Sequence, residues 1–404
     1  MPTRQIATAS STEENTKSAI AECYSSLHEQ LGRAPSLLMA YYSDTHDSAE
    51  MSRLLRASAG EEVQVHGASS CLGAMTETGF HSKEGVGVSL WAIDDPEGDY
   101  GTGAAVIGDD PEGAAVEALE MALERSNRIG EVPTLVWING APGREEALIA
   151  GIESVIGADV PIAGGSSGDN TVTGNWSQIA NGEQWSDAVV VSVLFPSTQI
   201  SYAFHSGYDP TDTTGIVTRC EGRTLMEIDG RPAAEVYNEW TEGAITEMLP
   251  EGGDVLALTT LFPLGRVVEE VGGLPYYKLS HPDGVTADGG LTLFSNLEEG
   301  ETLTLMQGTI DSLVSRAGRV TEAAVEAGDF KSEQLIGGLA IYCAGCMLTV
   351  QPKMDEVSGY IREALNDQPF VGVFTFGEQG CFIANDNAHG NLMISIVAFS
   401  NQPI

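Results

Sequence analysis

The hydrophobic and polar positions along the chain repeat one order three times: a strand, a helix, a second strand, a glycine-containing loop and a third strand. In the clearest copy, apolar runs at 134–138, 161–163 and 187–195 predict buried strands, because strands covered on both faces lack polar alternation. Apolar residues recur at helical spacing over 144–156 and predict a helix. Glycines and serines at 164–168 follow the second strand and predict a tight loop.

The same order recurs near both ends of the chain. The C-terminal copy consists of 339–343, 354–365, 370–376, 377–380 and 392–399. A weaker N-terminal copy consists of 36–42, 48–59, 63–65, 67–71 and 86–93. This repetition predicts stacked α/β units produced by duplication, with chance similarity between α/β segments as the alternative. Because ligands of α/β sheets bind beyond the carboxyl ends of strands, we expect the three glycine loops to line one cleft.

The residues between the second and third copies have a different pattern. Short apolar runs from 254 to 306 alternate with glycine and proline turns and predict antiparallel strands. The predicted fold class is therefore α/β, with internally repeated strand-helix-strand units that form two parts and an antiparallel β-rich section between them. The predicted divisions are an N-terminal extension or helix and two domains: 1–30, 31–215 and 216–404.

The charge of the chain narrows the function classes. Lys and Arg number 19 against 58 Asp and Glu, a formal net charge of −39, which repels phosphate backbones and anionic lipid. We therefore expect neither nucleic-acid nor membrane binding. Five lysines against 14 arginines favour a salt-adapted protein, with an ordinary acidic cytosolic protein as the alternative. The N-terminus lacks the apolar stretch of a secretory signal and six cysteines are too few for a disulfide scaffold, so we expect a cytoplasmic protein with reduced thiols.

The three glycine loops are the candidate ligand site. Their main-chain N–H groups lie beside small hydroxyls, a combination that suits a carboxylate or other compact anion. The alternative is that the loops only turn the chain between strands, and the threefold recurrence favours the ligand site. Glu378 is a candidate acceptor for a ligand ammonium group or an acid/base, and Asp169 has an Asx-turn as its alternative role. The predicted ligand-binding residues are Gly67, Ser69, Ser70, Cys71, Gly164, Gly165, Ser166, Ser167, Asp169, Gly377 and Glu378.

Cysteines beside the loops raise a second hypothesis, an enzyme that acts on a small metabolite. Cys71 or Cys381 would be the nucleophile, with His389 and Glu378 among the candidate catalytic groups. Cys343-Ala-Gly-Cys346 has the spacing of a redox pair, but it lacks the second pair that a structural zinc site requires. Packed structural thiols are the alternative, and no metal site is predicted.

Ordered motifs along nearly the whole chain resemble the FIST family. No single motif is specific for the family, but the order in which the motifs occur over roughly residues 30 to 400 is specific. They are Gly164–Asn170, Val217–Gly222, Ile228–Ala233, Pro263–Gly265, Asp288–Leu291, Glu299-Gly300 with Leu305-Met306, Phe376–Glu378 and His389–Asn391.

The resemblance implies a sensory module with FIST N-terminal-like and C-terminal-like domains that binds an amino acid or a similar small anionic or zwitterionic metabolite. It implies no required cofactor, and a separate signalling protein as the output partner. Some family members bind haem through a histidine and report nitric oxide, which makes His66 and His389 haem-ligand candidates. The chain departs from the family pattern at Gly67–Cys71, where the cysteine is shifted, and at Cys346, which replaces a frequent arginine.

Overall fold

The computed structural model describes residues 4–271, 273–382 and 386–404, and it contains three units built on one plan. The first unit consists of β1 (Gln5–Ser11), α1 (Thr16–Leu31), β2 (Leu37–Tyr42), α2 (Ser48–Ala59), β3 (Gln64–Ser69), β4 (Ala74–Thr76), β5 (Gly79–His81) and β6 (Val88–Asp94). The second unit consists of β7 (Asp99–Val106), α3 (Pro111–Arg125), β8 (Leu135–Gly140), α4 (Glu145–Ile156), β9 (Ile162–Ser166), β10 (Gln178–Ala180), β11 (Glu183–Trp185) and β12 (Ala188–Phe195).

The third unit begins with β13 (Thr198–His205) and is then interrupted by an inserted domain. The insertion consists of β14 (Asp209–Glu221), β15 (Thr224–Ile228), β16 (Arg231–Pro232), α5 (Ala233–Trp240), β17 (Gly253–Asp254), α6 (Leu256–Thr259), β18 (Leu264–Val271), β19 (Leu274–Ser280), β20 (Pro282–Val285), β21 (Leu291–Leu293) and β22 (Thr302–Gln307). The unit resumes with α7 (Ile310–Ala327), β23 (Leu335–Cys343), α8 (Ala344–Val350), α9 (Met354–Ala364), β24 (Phe370–Thr375), β25 (Glu378–Cys381), β26 (Asn387–Gly390) and β27 (Ile394–Pro403).

Each unit forms its own sheet around one parallel pair of strands. The pairs are β2 with β3, β8 with β9, and β23 with β24, and the last strand of each unit runs antiparallel beside the pair. The insertion forms a separate nine-stranded antiparallel sheet. The predicted fold class is therefore confirmed. Residues 5–31, however, are not a separate extension, because β1 pairs with β6 and α1 packs against this first sheet.

The three units exchange their short hairpins in a cycle. The hairpin β4–β5 of the first unit pairs with β24 of the third, β10–β11 of the second pairs with β3 of the first, and β25–β26 of the third pairs with β9 of the second. Each exchange extends the sheet of a neighbouring unit by main-chain hydrogen bonds. The units are therefore joined into one body rather than merely stacked.

Alternating side chains of the parallel strands face two different cores. On β2, Met39 and Tyr41 point into a central core shared by all three sheets, whereas Leu38 and Tyr42 point into a core that contains residues of α1 and α2. Strands buried on both faces read as unbroken apolar runs, which is why the repeats were visible in the sequence. In the described part of the chain, no helix has the length and apolar character needed to cross a membrane.

Candidate functional site

The carboxyl ends of β3, β9 and β24 meet at one junction in the middle of the molecule. Each loop donates one main-chain hydrogen bond to the next unit, so the bonds form a ring. The three bonds run from Cys71 N to Phe374 O (3.1 Å), from Gly168 N to Ser69 O (2.9 Å) and from Phe376 N to Ser166 O (3.1 Å). The glycine loops of the three copies therefore come together, as their repetition indicated.

The amides at this junction are nevertheless occupied by protein carbonyls. Gly67 lies inside β3, and Gly164 and Gly165 lie inside β9, each with a hydrogen-bonded strand on both sides. The following amides donate to the main chain: Ser69 N to Ser177 O, Ser70 N to Tyr42 O, Ser166 N to Gly377 O and Ser167 N to Gly140 O, at 2.7–2.9 Å. The bonds of Ser69 and Ser166 join two units and those of Ser70 and Ser167 lie within one unit, so an anion would have to replace bonds that the fold uses.

A cavity of about 370 Å³ lies beside the junction, between the α/β units and the inserted domain. It lies beyond the carboxyl ends of β8, β9, β23 and β24, which is where α/β sheets bind ligands. Its walls are mainly apolar, with a few polar side chains. The lining residues are Pro142, Gly143, Glu145, Val172, Thr173, Gly174, Trp176, Arg223, Leu256, His281, Phe294, Cys343, Ala344, Gly345, Leu348, Thr375, Phe376 and Asn391.

Asp169 shapes one wall of this cavity without lining it. Its buried carboxylate accepts hydrogen bonds from the main-chain N–H groups of four residues that follow it, Thr171, Thr173, Gly174 and Asn175, at 2.7–3.0 Å. These bonds fold the loop that carries Val172 and Trp176 into the cavity wall. Asp169 therefore has the loop-organising role that an Asx-turn gives, extended over a longer segment.

An ion-pair cluster connects the second unit to the inserted domain at the cavity. Arg223 Nη2 lies 2.6 Å from Glu145 Oε2 and 2.7 Å from Glu146 Oε2. Glu145 Oε1 accepts from Ser166 Oγ at 2.7 Å and from Gly143 N at 3.0 Å. Burial raises the pKa of Glu145, but the charges of His389 and Arg223 and the hydrogen bonds from Ser166 and Arg223 outweigh it and lower the pKa to about 2. The carboxylate is therefore ionised, and Arg223 is shared between two negative charges.

Two polar side chains of the cavity act as fixed donors or acceptors. Asn391 Oδ1 accepts from His281 N at 3.2 Å, which fixes the orientation of the amide, because only the oxygen can accept from an N–H. Asn391 Nδ2 is buried and has no hydrogen-bond partner among the described residues. Burial lowers the pKa of His281 to about 4, so its ring is neutral, and Nε2 donates to Leu256 O at 3.2 Å. An unpaired buried donor such as Asn391 Nδ2 is one that a water or a ligand acceptor can satisfy.

The remaining predicted carboxylate and histidine sites lie behind the cavity or in the core. Glu378 is buried and accepts from Thr375 Oγ1 and Met393 N, both at 3.0 Å, and burial raises its pKa well above the ordinary value. Glu378 therefore has a structural role, because it holds the Thr375 hydroxyl and the Met393 amide in place.

His389 and Gly377 are packed against each other. His389 Nε2 donates to Phe294 O at 3.1 Å, and Gly377 has no room for a Cβ, which would lie 2.5 Å from His389 Cε1.

The haem-ligand candidates have both ring nitrogens engaged. His66 is in the central core, where Nδ1 lies 2.8 Å from Ser192 Oγ and Nε2 lies 2.8 Å from Asn139 Oδ1. His389 Nδ1 lies 3.4 Å from Gln379 Nε2, in addition to its bond with Phe294. Haem ligation through either histidine would require breaking one of these bonds and opening buried structure, so these residues do not fit the group as they stand.

The two candidate nucleophilic cysteines lie apart from the cavity lining. Cys71 is buried, and its burial, with Asp169 and Asp44, raises its pKa to about 12. Cys381 lies on a different surface recess with Tyr202, and burial raises its pKa to about 11. Both thiols are therefore protonated at neutral pH, whereas a catalytic cysteine needs a lowered pKa. No specific geometry favours the enzyme hypothesis at these positions.

Sequence reasoning missed the residues that line the cavity most directly. Arg223, His281 and Phe294 belong to the insertion, and no spacing connects them to the repeats. Cys343 was singled out only as half of a Cys-x-x-Cys pair. One signal was present in the sequence: Cys343 ends the first parallel strand of the third repeat and Phe376 follows the second, and a cavity is expected at the carboxyl ends of such strands.

Comparisons with known proteins agree with the two-part organisation. Residues 36–231 match the family model of the FIST N domain, and residues 233–381 match that of the FIST C domain. An uncharacterized protein of Methanocaldococcus jannaschii is 35% identical over 80 residues, 20% of this chain, and the match spans only 16% of that relative. Two solved structures of cyanuric acid hydrolase, one from A. caulinodans, cover 98% of this chain and 100% of their own, at 8% identity and a TM-score of 0.36. Similarity this weak carries no activity over to this chain.

Proposed function

The chain belongs to the FIST family, whose domains are sensory ligand-binding modules, and from this premise we propose that it senses an amino acid with an apolar side chain. The ligand binds in the 370 Å³ cavity between the α/β units and the inserted domain. A cavity of this size is within the range of small-molecule sites. The unpaired Asn391 Nδ2 is the observation that carries the proposal.

The ligand carboxylate accepts a hydrogen bond from Asn391 Nδ2. Leaving this donor unpaired costs about 1–3 kcal/mol, and a ligand oxygen removes that cost. The rest of the lining, including Trp176, Phe294 and Phe376, offers apolar and aromatic surface. A ligand with one polar end and an apolar body suits this distribution better than the compact anion expected for the glycine loops.

The charges at the cavity favour a zwitterion over a simple anion. Arg223 already contacts two carboxylates, so this cluster carries a net negative charge. Glu145 Oε2 accepts from Arg223, which leaves it a second lone pair for a ligand ammonium group. A simple anion would be repelled at this end, whereas an amino acid places opposite charges at Glu145 and at Asn391.

The position of the cavity provides a route for signalling. Its walls come from the second unit, the third unit and the inserted domain, so a bound ligand contacts all three. Because a ligand shifts a conformational equilibrium only by binding one state better, contacts that bridge these parts favour the closed arrangement. We propose that a separate signalling protein recognises this arrangement.

The test is a thermal-shift panel on the full chain with leucine, methionine and phenylalanine. Matched controls are 4-methylpentanoate, which lacks the ammonium group, and isoamylamine, which lacks the carboxylate. At 100 times the dissociation constant, a ligand should stabilise the protein by about 2.7 kcal/mol. Only the zwitterions are expected to raise the melting temperature. Haemin is included with its absorption spectrum as readout, and a histidine-ligated Soret band would favour the gas-sensor alternative instead.

Asn391→Asp is the diagnostic variant. It keeps an oxygen to accept from His281 N but replaces the amide donor with a negative charge, so the amino-acid shift should disappear. Asn296→Asp is the matched control, because Asn296 is exposed and does not line the cavity. A panel without any shift, or an Asn391→Asp variant that responds like the parent, would refute the proposal.

A further inference from the structure

Two cysteines of the third unit lie where the cavity meets the protein interior. Cys343 is the last residue of β23 and lines the cavity at 6% exposure. Cys346 lies in α8, three residues further along the chain, and is fully buried. One thiol of the pair therefore lines the cavity, and the other lies in the protein interior.

A buried arginine faces this pair. Arg316 on α7 is fully buried and lies over the rings of Tyr208 and Tyr342, 5.2 Å and 5.3 Å from their centroids. Its Nη1 donates to Leu392 O at 2.8 Å and to Ser206 O. Among the described residues, its Nε and Nη2 have no hydrogen-bond partner. Carbonyls and uncharged rings do not neutralise a guanidinium, so a buried anion is required nearby.

Cys346 is the group placed to supply that anion. Its Sγ lies 3.5 Å from Tyr208 Oη, in the same cluster as Arg316. Burial raises the pKa of Cys346, but the Cys343 thiol, Arg316 and Tyr208 outweigh it and lower the pKa to about 6. The other buried acid of this region, Glu378, is hydrogen-bonded to Thr375 and Met393 instead.

We infer that Cys343 and Cys346 form a redox-active dithiol that is oxidised by a small uncharged disulfide entering the cavity. Burial raises the pKa of the Cys343 thiol well above its ordinary value, so this thiol needs a base, and the Cys346 thiolate is the base beside it. Cys346 takes the Cys343 proton as the Cys343 sulfur attacks one sulfur of the incoming disulfide, forming a mixed disulfide and releasing the first thiolate. That thiolate takes the proton from Cys346, whose sulfur then attacks the Cys343 sulfur, forming the protein disulfide and releasing the second thiolate, which is protonated by water. The two cysteine sulfurs are thereby oxidised to one disulfide, and the incoming disulfide is reduced to two thiols.

This inference does not rest on the proposed amino-acid ligand. Oxidation would, however, alter the cavity floor, because it ties the end of β23 to α8 and removes the thiolate that faces Arg316. Ligand binding and the redox state of the pair are therefore expected to be coupled.

The experiment treats the reduced full chain with bis(2-hydroxyethyl) disulfide and measures the intact mass and the disulfide map. We expect a loss of two hydrogen atoms and a Cys343–Cys346 bond, both reversed by dithiothreitol. Cys346→Ser should stop at a stable mercaptoethanol adduct on Cys343, and Cys343→Ser should form no adduct at Cys346. Cys23→Ser, at a buried thiol elsewhere, is the matched control and should oxidise like the parent.

Results on the parent protein alone can overturn the inference, even if a cysteine variant fails to fold. If Cys343 and Cys346 both remain free thiols after treatment that oxidises a dithiol peptide completely, the pair is structural. If Cys346 instead of Cys343 carries the adduct in the trapped variants, the order of attack is wrong.

Discussion

Removing the positive charge of Arg223 should destabilise the protein through Glu145. In the Arg223→Gln variant, Glu145 remains buried at 2% side-chain exposure but loses its only ion-pair partner within the described residues. Its hydrogen bonds with Ser166 and Gly143 persist, whereas the charge of Arg223 is removed together with its hydrogen bonds to Glu145 and Glu146. The variant should therefore fold, with weaker attachment of the inserted domain to the second unit.

The expected magnitude follows from the pKa of Glu145, which the native environment lowers from an ordinary 4.5 to about 2. A shift of this size corresponds to about 3 kcal/mol of folding free energy at neutral pH. Arg223 shares this lowering of the pKa with His389 and Ser166, which remain in the variant, so about 3 kcal/mol is the upper bound for the cost of Arg223→Gln. Because the native pKa is lowered, the contribution is fully present above pH 4.5 and is lost as the pH falls towards 2. The difference in the free energy of unfolding between parent and variant should therefore be constant from pH 8 to 5 and decrease in more acidic solution.

Urea denaturation, monitored by tryptophan fluorescence, measures this difference in the free energy of unfolding. Arg231→Gln is the matched control in the same inserted domain, since Arg231 pairs with Glu239 at 48% and 60% side-chain exposure and should contribute little. The Glu145→Gln and Arg223→Gln/Glu145→Gln variants complete a double-mutant cycle. Equal destabilisation by Arg223→Gln and Arg231→Gln, or a coupling energy near zero, would refute the reasoning.

Two further predictions concern charge and packing. Because the chain carries a net charge of −39, its melting temperature should rise with KCl through screening of self-repulsion, and a temperature that does not change with salt would contradict the salt-adaptation hypothesis. Gly103→Ala should cost on the order of 3 kcal/mol, because its Cβ would lie 2.1 Å from Ala118 O between β7 and α3. Gly359→Ala on α9 meets open space and should stabilise by about 0.5–1 kcal/mol, so similar melting temperatures for the two variants would refute this packing argument.

The repeats could be predicted from the sequence because each parallel strand is buried on both faces. The run at 134–138 became β8, whose Trp137 faces the central core and whose Ile138 faces the core beside α3 and α4. Such burial leaves an apolar run that needs no knowledge of the partner strand. The antiparallel character of the insertion was visible for a similar reason, since its turns are marked by glycine and proline.

The hairpin exchange could not be predicted in the same way. Strand β4 has three residues, and its Thr76 pairs with Val371 of β24, about three quarters of the chain length away in the sequence. A strand this short has no periodicity of its own, and its main-chain hydrogen bonds fit any strand edge equally well. Only the closed cycle of three exchanges fixes the partner, and that cycle is a property of the assembled fold.

The same exchange explains why protein carbonyls occupy the main-chain N–H groups of the glycine loops. A loop of small residues at the end of a buried strand does present N–H groups at close quarters, and in an open fold these groups would attract an anion. In this closed cycle of units, however, protein carbonyls already accept from these N–H groups; some belong to the next unit, as Ser69 O does for Gly168 N, and others to the same unit, as Gly140 O does for Ser167 N. Small residues are then needed so that the units can approach each other closely. The groups left to bind a ligand are the side chains beside the junction. Asn391 and Arg223 lie there, and the insertion that carries Arg223 is the part of the chain that the other two units lack.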